Sequence, residues 1–347
     1  MTRRTGVTLV EVLVAIFVMA IGLIALLTLF PIGVLRMAQA IRHERCAQCA
    51  YSADKLAMMN NIRNDPTVAP VGALDYFANP FQDPTKLPNA DPFGESYPVF
   101  VDPIGYTSSL AGGKDWVGAT PGVLRRRPTQ YTDTLTKATA TRNTFTLLDD
   151  IIFESTTTTN VNVPGPGTPQ KAAGITILRD TRYSWAYLLR RPQTADRSVV
   201  DCSIVVFDQR PLALVNSLLS LEEYVYLNKA YFNATKGTIT LDYTNDVPPP
   251  LRVGDWILDT TIYKPTATTG AANAYFYRVT ATEEFAAGGK TYARYEVQNP
   301  IRGFDPNRPA VFPPVPDPID GTPAYQGTVV VIRGIAEVFE KGPARLP

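Results

Sequence analysis

Gly6-Val7-Thr8-Leu9-Val10-Glu11-Val12-Leu13-Val14-Ala15-Ile16-Phe17 opens an apolar run that continues to about Leu35 and is broken by one acid, Glu11. Arg3 and Arg4 precede it. About 29 residues in a helix extend roughly 43 Å, more than the ~30 Å hydrocarbon core of a bilayer requires. The run is too long for the apolar part of a secretory signal, and no small-residue cleavage site ends it. It reads as a membrane-inserted helix whose leading arginines stay cytoplasmic while the rest of the chain lies outside. A carboxylate within such a span costs a few kcal/mol unless it is paired, so Glu11 is a functional candidate. A cut after Gly6 would make Val7 the new N-terminus. Its positive α-amine would then sit four residues from Glu11, in the same helix or in a neighbouring one.

These residues resemble the cleavage and methylation motif of type IV prepilins and type II secretion pseudopilins. That motif is a glycine, a hydrophobic residue (usually Phe), Ser or Thr, two hydrophobics and Glu. Val7 stands where Phe is usual, and the other positions fit. The continuation through Ala20-Ile21-Gly22-Leu23 is most similar to minor pilins of the PilV type and minor pseudopilins of the GspI type, over roughly the first 60 residues. The resemblance implies cleavage between Gly6 and Val7 by a prepilin peptidase and N-methylation of Val7. It gives Glu11 a role in methylation, subunit recruitment and filament assembly. It also implies other pilin or pseudopilin subunits as partners and the inner membrane as the place of storage, with the head periplasmic before incorporation into a filament.

Beyond the span the helical pattern persists. Ala38, Ile41, Cys49, Ala53, Leu56 and Met59 recur on one helix face. The helix is expected to stop at Asn64-Asp65-Pro66, because a residue before proline is pushed out of the α region. Residues 7–64 would make a helix on the order of 85 Å long, with 7–35 transmembrane and 1–6 as leader. Pro31 should kink or locally melt it, and the resemblance implies a helix breaker near this depth. His43, Cys46 and Cys49 have the spacing of soft metal ligands, but a zinc site would need a fourth ligand such as Cys202. They read instead as small or apolar positions facing a head domain.

The chain has 347 residues, 30 Pro, 23 Gly, 17 Tyr and a net charge of +1. This composition suits a turn-rich β head and gives no basic surface for nucleic acid. Residues 66–128 are rich in loop signals, and Arg125-Arg126-Arg127 reads as a solvated loop. Strands are expected at 97–101, 182–190, 199–207, 223–227 and 237–241, as an antiparallel sheet lying across the helix. Pro248-Pro249-Pro250 reads as a stiff spacer between a 66–247 head and a 251–341 subdomain. The latter would hold strands at 255–263, 274–282, 291–298 and 328–339, forming a small β-barrel or meander. The expected class is α+β.

No catalytic site is expected. The only histidine is in the helix, so no Ser-His-Asp or Cys-His site can form in the head from this chain. Adjacent acids such as Glu283-Glu284 point to opposite faces of a strand. No cofactor is expected. The weak candidates for calcium, which some pseudopilins bind in a C-terminal loop, are Asp305, Asn307, Asp317 and Asp320. Asn233-Ala234-Thr235 fits the glycosylation triplet, a pattern common by chance. The expected function is therefore a minor pilin or pseudopilin, a structural and assembly subunit of a type IV pilus or type II secretion filament. The alternatives are a competence pseudopilin for DNA uptake and an adhesive or ligand-binding module on a pilin anchor.

Overall fold

The computed structural model describes residues 9–60, 62, 99–102, 124–126, 144–147, 151–155, 175–179, 182–190, 199–210, 223–266, 269–272, 274–301 and 314–345. The chain divides into two compact units, 1–48 and 49–347. One helix, α1, covers Leu9–Met59. The strands are β1 (Val99–Val101), β2 (Leu124–Arg126), β3 (Ile151–Ser155), β4 (Ile175–Arg179), β5 (Tyr183–Arg190), β6 (Val199–Asp208), β7 (Glu223–Asn233) and β8 (Thr238–Asp242). They continue with β9 (Trp256–Asp259), β10 (Ile262–Thr266), β11 (Thr269–Ala272), β12 (Tyr275–Ala287), β13 (Lys290–Val297), β14 (Val315–Pro316), β15 (Pro323–Ile332) and β16 (Ile335–Arg345). The protein is thus an N-terminal helix followed by mostly antiparallel β-structure.

In the first unit α1 is continuous through Pro31, so the chain does not unwind there. The helix ends at Met59, five residues before the expected stop at Asn64.

In the second unit the last turns of α1 bury Cys49, Ala50, Ala53 and Ala57. The expected face is corrected here: Met59 is exposed and Leu56 only half-buried. Small residues let the helix backbone come close to the sheet, which larger side chains would prevent. Tyr187 on β5 marks the contact. Its Oη donates to the Ala53 carbonyl at 2.7 Å and accepts from Trp185 Nε1 at 3.1 Å.

Two large sheets and two antiparallel pairs, β3 with β4 and β10 with β11, make up the described strands of the second unit. The first has the order β16-β6-β5-β1-β2, antiparallel except for β1 with β2. The second runs β14-β15-β7-β8-β13-β12-β9, and β9 pairs again with β15. That last pairing closes six strands, β15-β7-β8-β13-β12-β9, into a ring. Neighbouring residues of its strands serve two cores, as the two-residue strand period requires. Tyr226, Phe232, Ile239, Ile257, Tyr277, Tyr295, Val329 and Val331 pack in one cluster, the filling of the ring. Tyr325 stacks on Phe232 there, ring centroids 4.6 Å apart. Trp256, Leu258, Phe276, Val330 and Ile332 pack in the other cluster, against Phe100, Ala186, Leu188, Val205 and Phe207 of the first sheet. Each such side chain fully buried contributes roughly 1.5–3 kcal/mol.

The expected division at Pro248-Pro249-Pro250 is not how the strands assort. β7 and β8 lie before it in sequence, yet they pair with β15 and β13 beyond it, while β16 returns to β6. The ring is therefore not a C-terminal subdomain built from 251–341 alone. Two expected strands are each two. The 255–263 stretch divides into β9 and the start of β10, and 328–339 spans β15 and β16. Gly334 makes the second division. Its φ of +84° suits a tight turn, and a Cβ would lie 3.3 Å from the Asp208 carbonyl oxygen. Arg125 and Arg126, expected in a loop, belong to β2. β4 had no counterpart in the sequence reading.

Candidate functional site

Glu11 lies in the first turn of α1, where the helix dipole favours a negative charge. It is exposed. Gly6 and Val7, the expected cleavage and methylation positions, fall outside the described residues. After Glu11, residues 12–35 carry no ionisable side chain. The large side chains of this run are exposed around the helix, from Leu13 (57 %) and Phe17 (65 %) to Leu26 (70 %) and Phe30 (73 %). A helix apolar on all sides needs an apolar environment on all sides, from lipid or from other helices. Counted over the described residues, no helix is long and apolar enough to cross a membrane.

Of the four weak candidates for calcium ligands, Asp305 and Asn307 lie outside the described residues. Asp317 and Asp320 do come together, but around side-chain cations. Arg294 on β13 donates to both carboxylates at 3.0 Å, and Lys236 from the β7–β8 turn pairs with Asp320. Asp317, almost fully buried, also accepts from Thr240 Oγ1 at 3.0 Å and from the Ile319 amide at 2.9 Å. Burial alone would raise the Asp320 carboxyl pKa. Hydrogen bonds from Lys236 and Thr322 and the Arg294 charge outweigh it and hold the pKa well below the usual carboxylate range. The geometry ties the 317–322 turn to the ring. Nothing local in the sequence announces the Arg294 and Lys236 partners, which lie 26 and 84 residues from Asp320.

Asn233 serves the same junction. It is fully buried, donates through Nδ2 to Thr322 Oγ1 at 2.6 Å and accepts from the Lys236 amide at 3.0 Å. A side chain so engaged does not present a glycosylation acceptor in the folded protein. Cys49 and Cys202 are buried thiols, and among the described residues no group of three His, Cys, Asp or Glu converges as a metal site.

The functional information thus concentrates in the N-terminal segment, and comparison with known proteins points to the same place. No curated protein and no solved structure matches the chain. The family model described as the prokaryotic N-terminal methylation motif matches residues 1–27, which contain Gly6, Val7 and Glu11. The chain accordingly carries at its N-terminus the methylation motif of the type IV prepilin and pseudopilin family.

Proposed function

We propose that the protein is a minor pilin or pseudopilin, a non-catalytic structural and assembly subunit of a type IV pilus or type II secretion filament. The carrying observation is the methylation motif at residues 1–27, which overlaps a 51-residue helix whose first half is apolar all round after Glu11. Prepilin peptidase cuts between Gly6 and Val7 and methylates the new amine. The helix is held in the inner membrane across about 7–35 with the head on the periplasmic side. Extraction into a filament then moves the same apolar surface from lipid to neighbouring helices, where Glu11 meets the α-amine of an adjacent subunit. Both environments satisfy the exposed leucines and phenylalanines, so transfer costs little apolar free energy. The pairing of opposite charges in low dielectric selects the axial register.

The size of the second unit supports a low-copy initiating or tip position over a densely packed major subunit. Quantitative immunoblotting of purified filaments tests this point: the reading fails if this chain is the dominant band.

Intact mass of the membrane-extracted protein tests processing, with wild type and Gly6→Ala made in cells that hold their prepilin peptidase. Loss of six residues and gain of one methyl group, both abolished by the substitution, is the expected result. An uncut and unmethylated wild-type N-terminus would refute the reading.

A further inference from the structure

The β12–β13 hairpin leaves β12 with one open edge. On the side away from β13, β12 pairs with β9 only from Tyr275 to Arg278. The last bonds there join Val279 to Gly254 and Asp255 at 2.8 and 2.9 Å. From 281 to 287, β12 pairs with β13 residue by residue without a register shift, and no described strand lies along its other edge. Every second residue of this stretch therefore turns its backbone N–H and C=O away from the sheet. Thr282, Glu283, Glu284, Ala286 and Ala287 are exposed there. Other edges are blunted. β14 and β2 are two and three residues long, and β16 carries Pro343 and two register shifts. The 281–287 edge has a bulge only before it, between Val279 and Ala281, and it is as long as an ordinary strand.

The edge is held in shape from behind. The Arg294 guanidinium lies 5.5 Å over the Phe285 ring, and Arg294 is itself fixed by Asp317 and Asp320 at 3.0 Å. Little ordering is left to be lost on binding. The charges say what fits. Glu283 and Glu284 stand in the middle of the stretch, one on each face of the strand, and neither has an ion-pair partner among the described residues. Arg294, opposite Glu283 in the register, donates to Asp317 and Asp320 instead. A second copy of this edge, laid antiparallel and centred on the two acids, would set glutamate against glutamate, which destabilises cross-strand pairs. A strand with Lys or Arg at those positions would gain two opposite-charge pairs. The small side chains of Ala281, Ala286 and Ala287 leave room for its neighbours.

We propose that residues 281–287 of β12 receive an extended, Lys- or Arg-bearing segment of a neighbouring filament subunit as an added strand. Main-chain hydrogen bonds hold the segment, and Glu283 and Glu284 select it against other strands, this chain's own edge included. The proposal rests on the filament reading and gives the head a contact distinct from the helix.

A photoreactive residue is placed at Ala286 of the full-length chain, with Leu227, exposed on β7, as the control position. Cross-linking is done in cells that assemble the filament. The expected adduct at 286 joins a pilin-like subunit through a peptide containing Lys or Arg, and it does not form from 227. It falls about tenfold in a Glu283→Lys, Glu284→Lys variant, where two attractive pairs become repulsive, and by less in the Gln pair. No subunit adduct at 286, an adduct only with another copy of this chain, or an adduct indifferent to charge reversal would overturn the proposal. Intact mass from the same samples separates the two ideas: chain processed at Gly6 without an adduct sinks the added strand and leaves the filament reading standing.

Discussion

Removing one partner of the Asp102–Arg210 pair should cost more than any surface change in the head. Asp102 follows β1 and Arg210 follows β6, and the two meet through bonds of 2.8 and 2.6 Å between guanidinium and carboxylate. Their side chains are 0 % and 1 % exposed. The Arg210 guanidinium also lies 4.1 Å over the Phe207 ring, itself a member of the core between the sheets. Asp102→Ala leaves that guanidinium buried without its carboxylate, a loss of about 3–5 kcal/mol. Against total stabilities of about 5–15 kcal/mol this is a large fraction. Replacing both partners by apolar residues, Asp102→Leu with Arg210→Met, removes the stranded charge together with its counter-charge. The double variant should be more stable than the single one. Urea unfolding of the full chain in detergent reads the difference, with near- and far-UV circular dichroism required to coincide. A loss below about 1 kcal/mol for Asp102→Ala, or a double variant no more stable than the single one, would refute the reasoning.

Gly327 sits where an added Cβ would fall 2.0 Å from Thr261 Oγ1, and Thr261 is itself buried. Gly327→Ala should therefore cost about 2 kcal/mol by overpacking the β15 wall, and an unchanged urea midpoint would contradict this. The Asp320 carboxyl pKa is lower folded than unfolded. Its contribution is therefore present above the unfolded carboxylate pKa of about 4 and is lost as pH falls below that value. Wild type should lose stability more steeply than Asp320→Asn from pH 4 downward, and parallel acid unfolding profiles would count against the network. Glu11→Gln keeps the shape of the side chain and removes its charge. The ratio of filament to membrane pool, measured by immunoblotting, should drop at least about tenfold, and an unaltered ratio would remove the amine–carboxylate pair from the mechanism.

What could be read from the residues followed the range of the interactions involved. The N-terminal motif is contiguous, and the apolar run and the strands after Tyr183 carry local periodicities, so these were legible. The sheet assortment was not. Nothing between 223 and 242 says that β7 will pair with β15 about a hundred residues later, or that β8 will pair with β13. Val329 to Ile332 shows the difficulty in four residues, because an uninterrupted apolar run hides the alternation that sends two side chains into the ring and two onto the first sheet. The triproline looked like a boundary because prolines stiffen a chain. In the fold it is a connection from β8 to β9 within one ring. The surroundings of Asp317 and Asp320, two of the calcium candidates, were not legible for a related reason. Acids near one another in sequence reveal nothing about the cations that other strands bring to them.

The return of β16 to β6 bears on the order in which the molecule can be made. Ile335 pairs with Phe207 and Arg345 with Val199, so the edge of the first sheet is complete only after the chain has been synthesised through 345. Loop closure over such separations makes folding slow compared with helical proteins. Until then β6, paired with β5 on one side, keeps its other edge open, an invitation to misassociation. This timing ties the maturation of the fold to the end of synthesis, because the first sheet keeps an open edge until the last strand arrives.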